Sequence, residues 1–317
     1  MSPAALWEPT GDWRAPRQEY LGSAPLGVGA LEAHRLGFRG AGARLALVDL
    51  GWSEHRDLPS SPERHNRRSA HGAMVLGCAL GNSPGLGIRG VAPDATLVAR
   101  SAPPPELPIS EGVEEAIRWA SSFDPHLLLI QVELQDGETQ RPVEALPSVF
   151  QQLRELTERG VHVVMAAGNG RHDLSSLGDC NAQRIWRPGA PESGAILVAG
   201  GHPADWRPFS NTGDRIDAHA WGDRVVTSGG GALSAPDQSE RRYARGFGGS
   251  SAAAAIIAGC VLLLDAATRS QGRPLSPAAM RALFRDPSLS TQRPKLGGMP
   301  DLVRILRHLE LLEEGPG

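Results

Sequence analysis

Asp49, His71 and Ser251 are residue types that together can transfer an acyl group, and each stands where an apolar run meets a turn. Asp49 closes the run LALV at 45–48, which sets a carboxylate at the C-terminal end of a buried strand, the edge at which open α/β sheets build their sites. His71 opens the small-residue stretch HGAMVLG at 71–77, an imidazole at the start of a helix. Asn169 closes VVMAAGN at 163–169, a second strand ending at the same edge, and Ser251 lies in the glycine turn GGSS at 248–251 ahead of a run of alanines. A serine hydroxyl is a weak nucleophile until an imidazole takes its proton, the imidazole needs a carboxylate to fix its tautomer, and the tetrahedral oxyanion needs preorganised donors. A helix N-terminus at Ser251 offers one backbone amide, and the Asn169 side chain offers a second donor.

Such residues need a rigid frame. The 317 residues suffice for one large α/β domain. Apolar runs at 45–48, 95–99, 127–132, 161–167, 195–199 and 224–227 read as buried strands. Helix-like stretches at 111–121, 147–159 and 252–267 alternate with them, and the alternation predicts a three-layer α/β sandwich, a mainly parallel twisted sheet between helices. Ser110 and Ser276-Pro277 read as helix starts, 26–39 as a short helix and 300–313 as a closing helix. Residues 1–25 read as an arm draped over a single domain, 26–317.

Composition narrows the choice of partner. A net charge of −3 gives no electrostatic reason to expect nucleic acid or an anionic membrane. No run approaches about 18 apolar residues, so no membrane span is expected. The first residues lack a secretory apolar core, and a cytoplasmic location is the expectation. Cys78, Cys180 and Cys260 lie far apart and suggest buried thiols rather than a disulfide framework or zinc site. The GLGIRG of 85–90 matches a dinucleotide-binding pattern, but VAP follows it instead of a helix, so it reads as a loop. No cofactor and no metal are expected.

Together with GVAP at 90–93, FSN at 209–211 and the Ala258-Gly259 pair, these segments resemble the subtilisin-like serine peptidases, the subtilase family, and within it a bacterial side branch. The order Asp, His, Ser is the one subtilisin uses. The resemblance implies that Asp49 orients His71, that His71 is general base and then acid, that Ser251 is the nucleophile and that Asn169 donates to the oxyanion. It implies hydrolysis of peptide bonds in a protein or peptide substrate. Substrate would be bound by strand addition along 131–135 and a facing glycine-rich strand, with Gln131, Val132, Glu133, Ala166, Ala167 and Gly168 lining its site.

The sequence also departs from the pattern. Leu50-Gly51-Trp52 replaces the usual Thr-Gly, with Trp52 expected to line the cleft, and Gln131-Val132-Glu133 replaces a common Ser-x-Gly. Glu133 then either enters the first specificity pocket, where it would favour a basic residue, or is a solvated strand-end carboxylate. No inhibitory propeptide is recognisable, so control by a protein partner or by the N-terminal arm is an expectation. A catalytically inactive subtilase fold that binds peptides or serves as a scaffold is the alternative.

Overall fold

The computed structural model describes residues 18–83, 87–136, 139–176, 186, 189–202, 208, 210–230 and 243–312. A nine-stranded sheet runs through it. In spatial order its strands are Ser290–Arg293 (β12), Gly297–Pro300 (β13), Ala218–Trp221 (β9), Ile196–Gly201 (β8), His162–Ala166 (β7), Leu127–Ile130 (β4), Arg44–Val48 (β1), Thr96–Ser101 (β3) and Glu63–Arg64 (β2). Neighbours are parallel except the β12–β13 hairpin. Two antiparallel pairs stand apart, Glu133–Asp136 (β5) with Thr139–Pro142 (β6) and Val225–Ser228 (β10) with Tyr243–Phe247 (β11).

Apolar residues fill both faces, as a sheet covered on both sides requires. Leu45, Leu47, Val164 and Val198 face one core, shared with helices Ala30–Arg35 (α1), His71–Leu80 (α2), Gly249–Ser270 (α5), Pro277–Arg285 (α6) and Leu302–His308 (α7). Ala46, Val48, Met165 and Leu197 face the other, covered by Ile109–Ser121 (α3) and Pro147–Glu158 (α4). The three-layer α/β sandwich read from the sequence is therefore the observed architecture.

Helix α5 is the axle of the first core. Its residues 249–268 are all buried, and Gly259 lies so close to Val91 that an added Cβ would come within 2.5 Å of the valine Cβ. An 18-residue window of α5 has mean hydropathy 1.9, long and apolar enough by composition to cross a membrane, where the sequence reading expected no such stretch. That window is 94% buried inside the fold, so the apolarity is spent on packing.

Several local expectations change. Strand β10, expected as a parallel member of the main sheet, pairs with β11 instead and clamps α2, with Thr227 and Ser228 hydroxyls donating to Met74 O and Ala73 O. Helix α3 starts at Ile109 after Pro108, one residue before the serine expected to open it. Residues 18–21 are not merely draped: Tyr20 and Leu21 are 1% exposed within the core, and Tyr20 Oη donates to Val226 O. Cys78 and Cys260 are buried free thiols, and burial pushes Cys78 up to about 12. Cys180 and Phe209, like residues 85 and 86 of the glycine motif, lie outside the described residues. The rest of that motif is a loop, with Gly90 N–H donating to Gly81 O at the end of α2.

Candidate active site

Asp49 leaves β1 with its N–H on Ser101 O of β3, so the carboxylate is fixed at the C-terminal edge by main chain on both sides. Its Oδ1 accepts from Leu50 N–H at 2.6 Å and Gly51 N–H at 3.4 Å. The side chain is fully buried, and both oxygens face His71 Nδ1, at 3.0 and 2.9 Å. A carboxylate accepts only, so Nδ1 carries the proton and the Nε2 edge is left to act as a base.

The approach of α2 to this aspartate depends on Gly72. Its N–H donates to Gly51 O at 3.0 Å, and a Cβ would meet Gly51 O at 2.7 Å. Ser69 Oγ accepts from His71 N–H, and Phe247 of β11 packs edge-on against the imidazole with centroids 5.7 Å apart. Burial disfavours the charged imidazole, but the Asp49 charge and hydrogen bond, aided by Glu133, outweigh it and leave His71 above the ordinary histidine value.

Ser251 sits in the first turn of α5, where helix geometry gives the N–H no intrahelical partner. The turn is made by Gly248 in an extended conformation and Gly249 at φ +74°, a region that favours glycine. Ser251 is 5% exposed, and its carbonyl accepts from Gln131 Nε2 at 3.1 Å. Among the described residues no hydrogen bond joins its hydroxyl to His71. The structure thus pairs Asp49 with His71 at the sheet edge, and α5 carries Ser251 in its first turn, tied by its carbonyl to Gln131 just after β4.

Asn169 follows Gly168, which has φ +93°, and turns its side chain on to the start of α5. Its Oδ1 accepts from Ser250 N–H at 2.8 Å, and its Nδ2 donates to Glu133 Oε1 at 3.0 Å. A backbone N–H can only donate, which fixes the amide orientation. Glu133 Oε1 also accepts from Ser250 Oγ at 3.3 Å. Burial is the largest influence on the Glu133 carboxyl and raises its pKa, against the lowering by Ser250, His71 and Asn169. Glu133 is therefore not a solvated strand-end carboxylate: it is half-buried and bonded to Asn169 and Ser250 at the start of α5.

Other expected lining residues serve mainly as a wall. Val132, Ala166 and Ala167 are buried, Ala167 N–H donates to Val198 O, and Ala167 O accepts from Asn211 Nδ2. Gly168 N–H donates to Ser250 Oγ, while Gly168 O accepts from Asn211 N–H. The β5–β6 hairpin closes over this wall, Gln140 Oε1 accepting from Asn169 N–H and Gln140 O from Asn211 Nδ2. Gln140 is a contribution the sequence reading missed, and Asn211, read there only as part of the FSN motif, turns out to tie this wall together. Trp52 does not line the cleft: it is fully buried, donates from Nε1 to Glu63 Oε2 at 2.6 Å and lies under Arg100 at 5.2 Å. The chain that leaves β3 beside Asp49 continues as Pro103, Pro104 and Pro105, three residues without N–H donors.

The fold, a parallel sheet sandwiched by helices, has counterparts among solved structures. A protease from Pseudoalteromonas arctica PAMC 21717 superposes with TM-score 0.69 at 18% identity, over 94% of this chain and 99% of that one. The MycP3 protease from the type VII (ESX-3) secretion system gives 0.64 at 18%, over 94% and 90%, and PatG macrocyclase in complex with peptide gives 0.64 at 14%, over 89% and 95%. The family model for the subtilase family matches residues 49–296, and the chain belongs to that family. Subtilisin Savinase of Lederbergia lenta is 30% identical over 166 residues, 46% of this chain and 56% of the relative. Subtilisin amylosacchariticus of Bacillus subtilis subsp. amylosacchariticus is 28% identical over 226 residues, 64% and 54%. The chain thus spans about half the length of these curated relatives.

Proposed function

We propose that this chain is a serine endopeptidase that cleaves protein or peptide substrates through an acyl-enzyme on Ser251. In this reading Ser251 Oγ attacks the carbonyl carbon as its proton passes to His71 Nε2, Asp49 stabilises the imidazolium, and the oxyanion is held by the Ser251 N–H and Asn169 Nδ2. His71 then gives the proton to the leaving amine, and water repeats the sequence to free the acid. The observation that carries the reading is the buried Asp49 carboxylate bonded through both oxygens to His71 Nδ1, at the sheet edge where α5 begins with Ser251.

Apo sites of this kind often have loose catalytic hydrogen bonds that tighten with substrate, so the lack of a His71–Ser251 hydrogen bond among the described residues is compatible with activity. That lack, with Glu133 on the Asn169 amide, favours a second reading: an inactive subtilase fold that holds peptides without cutting them. A fluorophosphonate probe separates the two. Stoichiometric labelling that Ser251→Ala abolishes supports the peptidase, with His71→Ala slowing labelling by several orders of magnitude, up to about 10⁶. Well-folded protein that never labels supports the inactive module.

A further inference from the structure

The carboxyl of Glu133 sits where the reaction, as read above, needs an empty place. Asn169 is fixed by Ser250 N–H on its Oδ1, so the Nδ2 that would meet the oxyanion is the atom already given to Glu133. Ser250 Oγ, beside the nucleophile, also points at Glu133 Oε1. The hairpin holds the carboxyl there: Glu133 pairs with Pro142 across β5 and β6, and Gln140 ties the same hairpin to Asn169 N–H.

We propose that Glu133 gates acyl transfer by its charge. Ionised, it holds one of the two Asn169 Nδ2 N–H groups and stands as a like charge next to the forming oxyanion. Neutral, it loses that charge and presents an O–H donor on the same side. Glu133 is then a positioning residue that acts through Asn169. The covalent step is unchanged: the Ser251 Oγ–carbon bond forms, its proton goes to His71 Nε2, and the carbonyl π pair moves to oxygen, with no proton consumed by the gate. The proposal rests on the peptidase reading and specifies how that site is regulated.

Toward Glu133, helix α2 presents His71, α5 presents Ser250, the β7 turn presents Asn169 and β6 presents Pro142; of these His71 alone titrates, with Asp49 behind it. The productive form has both Glu133 and His71 uncharged, one proton arrangement of a coupled pair. Catalysis in the wild type is therefore bell-shaped in pH, whereas a site with a histidine base and no such carboxyl rises to a plateau.

The test uses p-nitrophenyl acetate hydrolysis and the second-order rate of fluorophosphonate labelling, each followed from pH 5 to 9 in wild type and in Glu133→Gln, whose amide keeps an acceptor for Asn169. The expected result is a bell for the wild type, a plateau for the variant, and a gain of about tenfold or more for the variant at pH 8. Superimposable profiles with Ser251 labelled in both proteins overturn the gate and leave the peptidase reading standing. Labelling in neither overturns the peptidase reading and the gate with it. Should Glu133→Gln not fold, the wild-type labelling profile decides: a fall above neutrality supports the gate, a monotonic rise overturns it.

Discussion

Asp49 does its work through geometry fixed before any ligand arrives: two main-chain donors hold one oxygen, and both oxygens address one imidazole nitrogen. An amide in its place can donate as well as accept and would let His71 adopt the wrong tautomer. Asp49→Asn is expected to lower kcat by about 10⁴ with little change in fold, measured by ester hydrolysis alongside circular dichroism. Unaltered turnover in that variant would remove His71 from the chemistry. At this scale the sequence was readable where a chemical residue type bordered an apolar run, Asp49 and Asn169 at its end and Ser251 just before one. It was not readable for Glu133 and Gln140, because β5 and β6 are polar strands whose pairing decides where those side chains point. Trp52 was misplaced for a related reason: adjacency to Asp49 along the chain does not say which side of the loop a ring packs on.

Two glycines let the elements bring these side chains together. Gly249 combines φ +74° with a position where a Cβ would lie 2.5 Å from Asn169 Oδ1, so alanine there both strains the turn and pushes on the Asn169 side-chain amide. Gly249→Ala is expected to lose about 1–3 kcal/mol of stability in urea denaturation and, in addition, to slow Ser251 labelling. Gly246, whose added Cβ would meet nothing within 4 Å, is the matched control and should tolerate alanine on both counts. Strand and helix positions were legible from apolar runs and their spacing, since a parallel strand buried on both faces has no alternative composition. The antiparallel pairs escaped, β10 because its apolarity resembles that of the main strands, and β12 and β13 because glycine and polar residues mask them. The start of α5 was read three residues late, the glycine turn concealing a helix that begins at Gly249.

At the scale of the whole molecule, two charged clusters are buried beneath a surface that carries many exposed ion pairs. Arg215, 5% exposed, binds Glu144 Oε2 at 3.1 Å and Asp217 Oδ2 at 2.6 Å, while Asp265, the acidic residue in the buried stretch of α5, accepts from His126, His162 and Arg269. Two other histidines are held neutral. Burial is the main cause that takes His34 and His219 down to about 4, in spite of carbonyl bonds to Val91 O and Gly297 O that favour the charged ring. The unfolded chain protonates both near 6.5, so it binds more protons than the fold as pH drops. Stability is therefore full above about 6.5 and declines between there and about 4, by up to about 1.4 kcal/mol per pH unit for each histidine. His71, raised instead, works in the opposite sense and loses its contribution as pH rises. Urea midpoints at pH 7 and pH 5 check this, with His219→Gln expected to shrink the difference; identical midpoints would refute it. Finally, the helix that carries Ser251 on its first turn is also buried from Gly249 to Thr268 in the core of the fold. A mutational tolerance map along it should show no division between positions that spare folding and positions that spare turnover, so adaptive change in this protein is channelled into the rims and hairpins around the cleft.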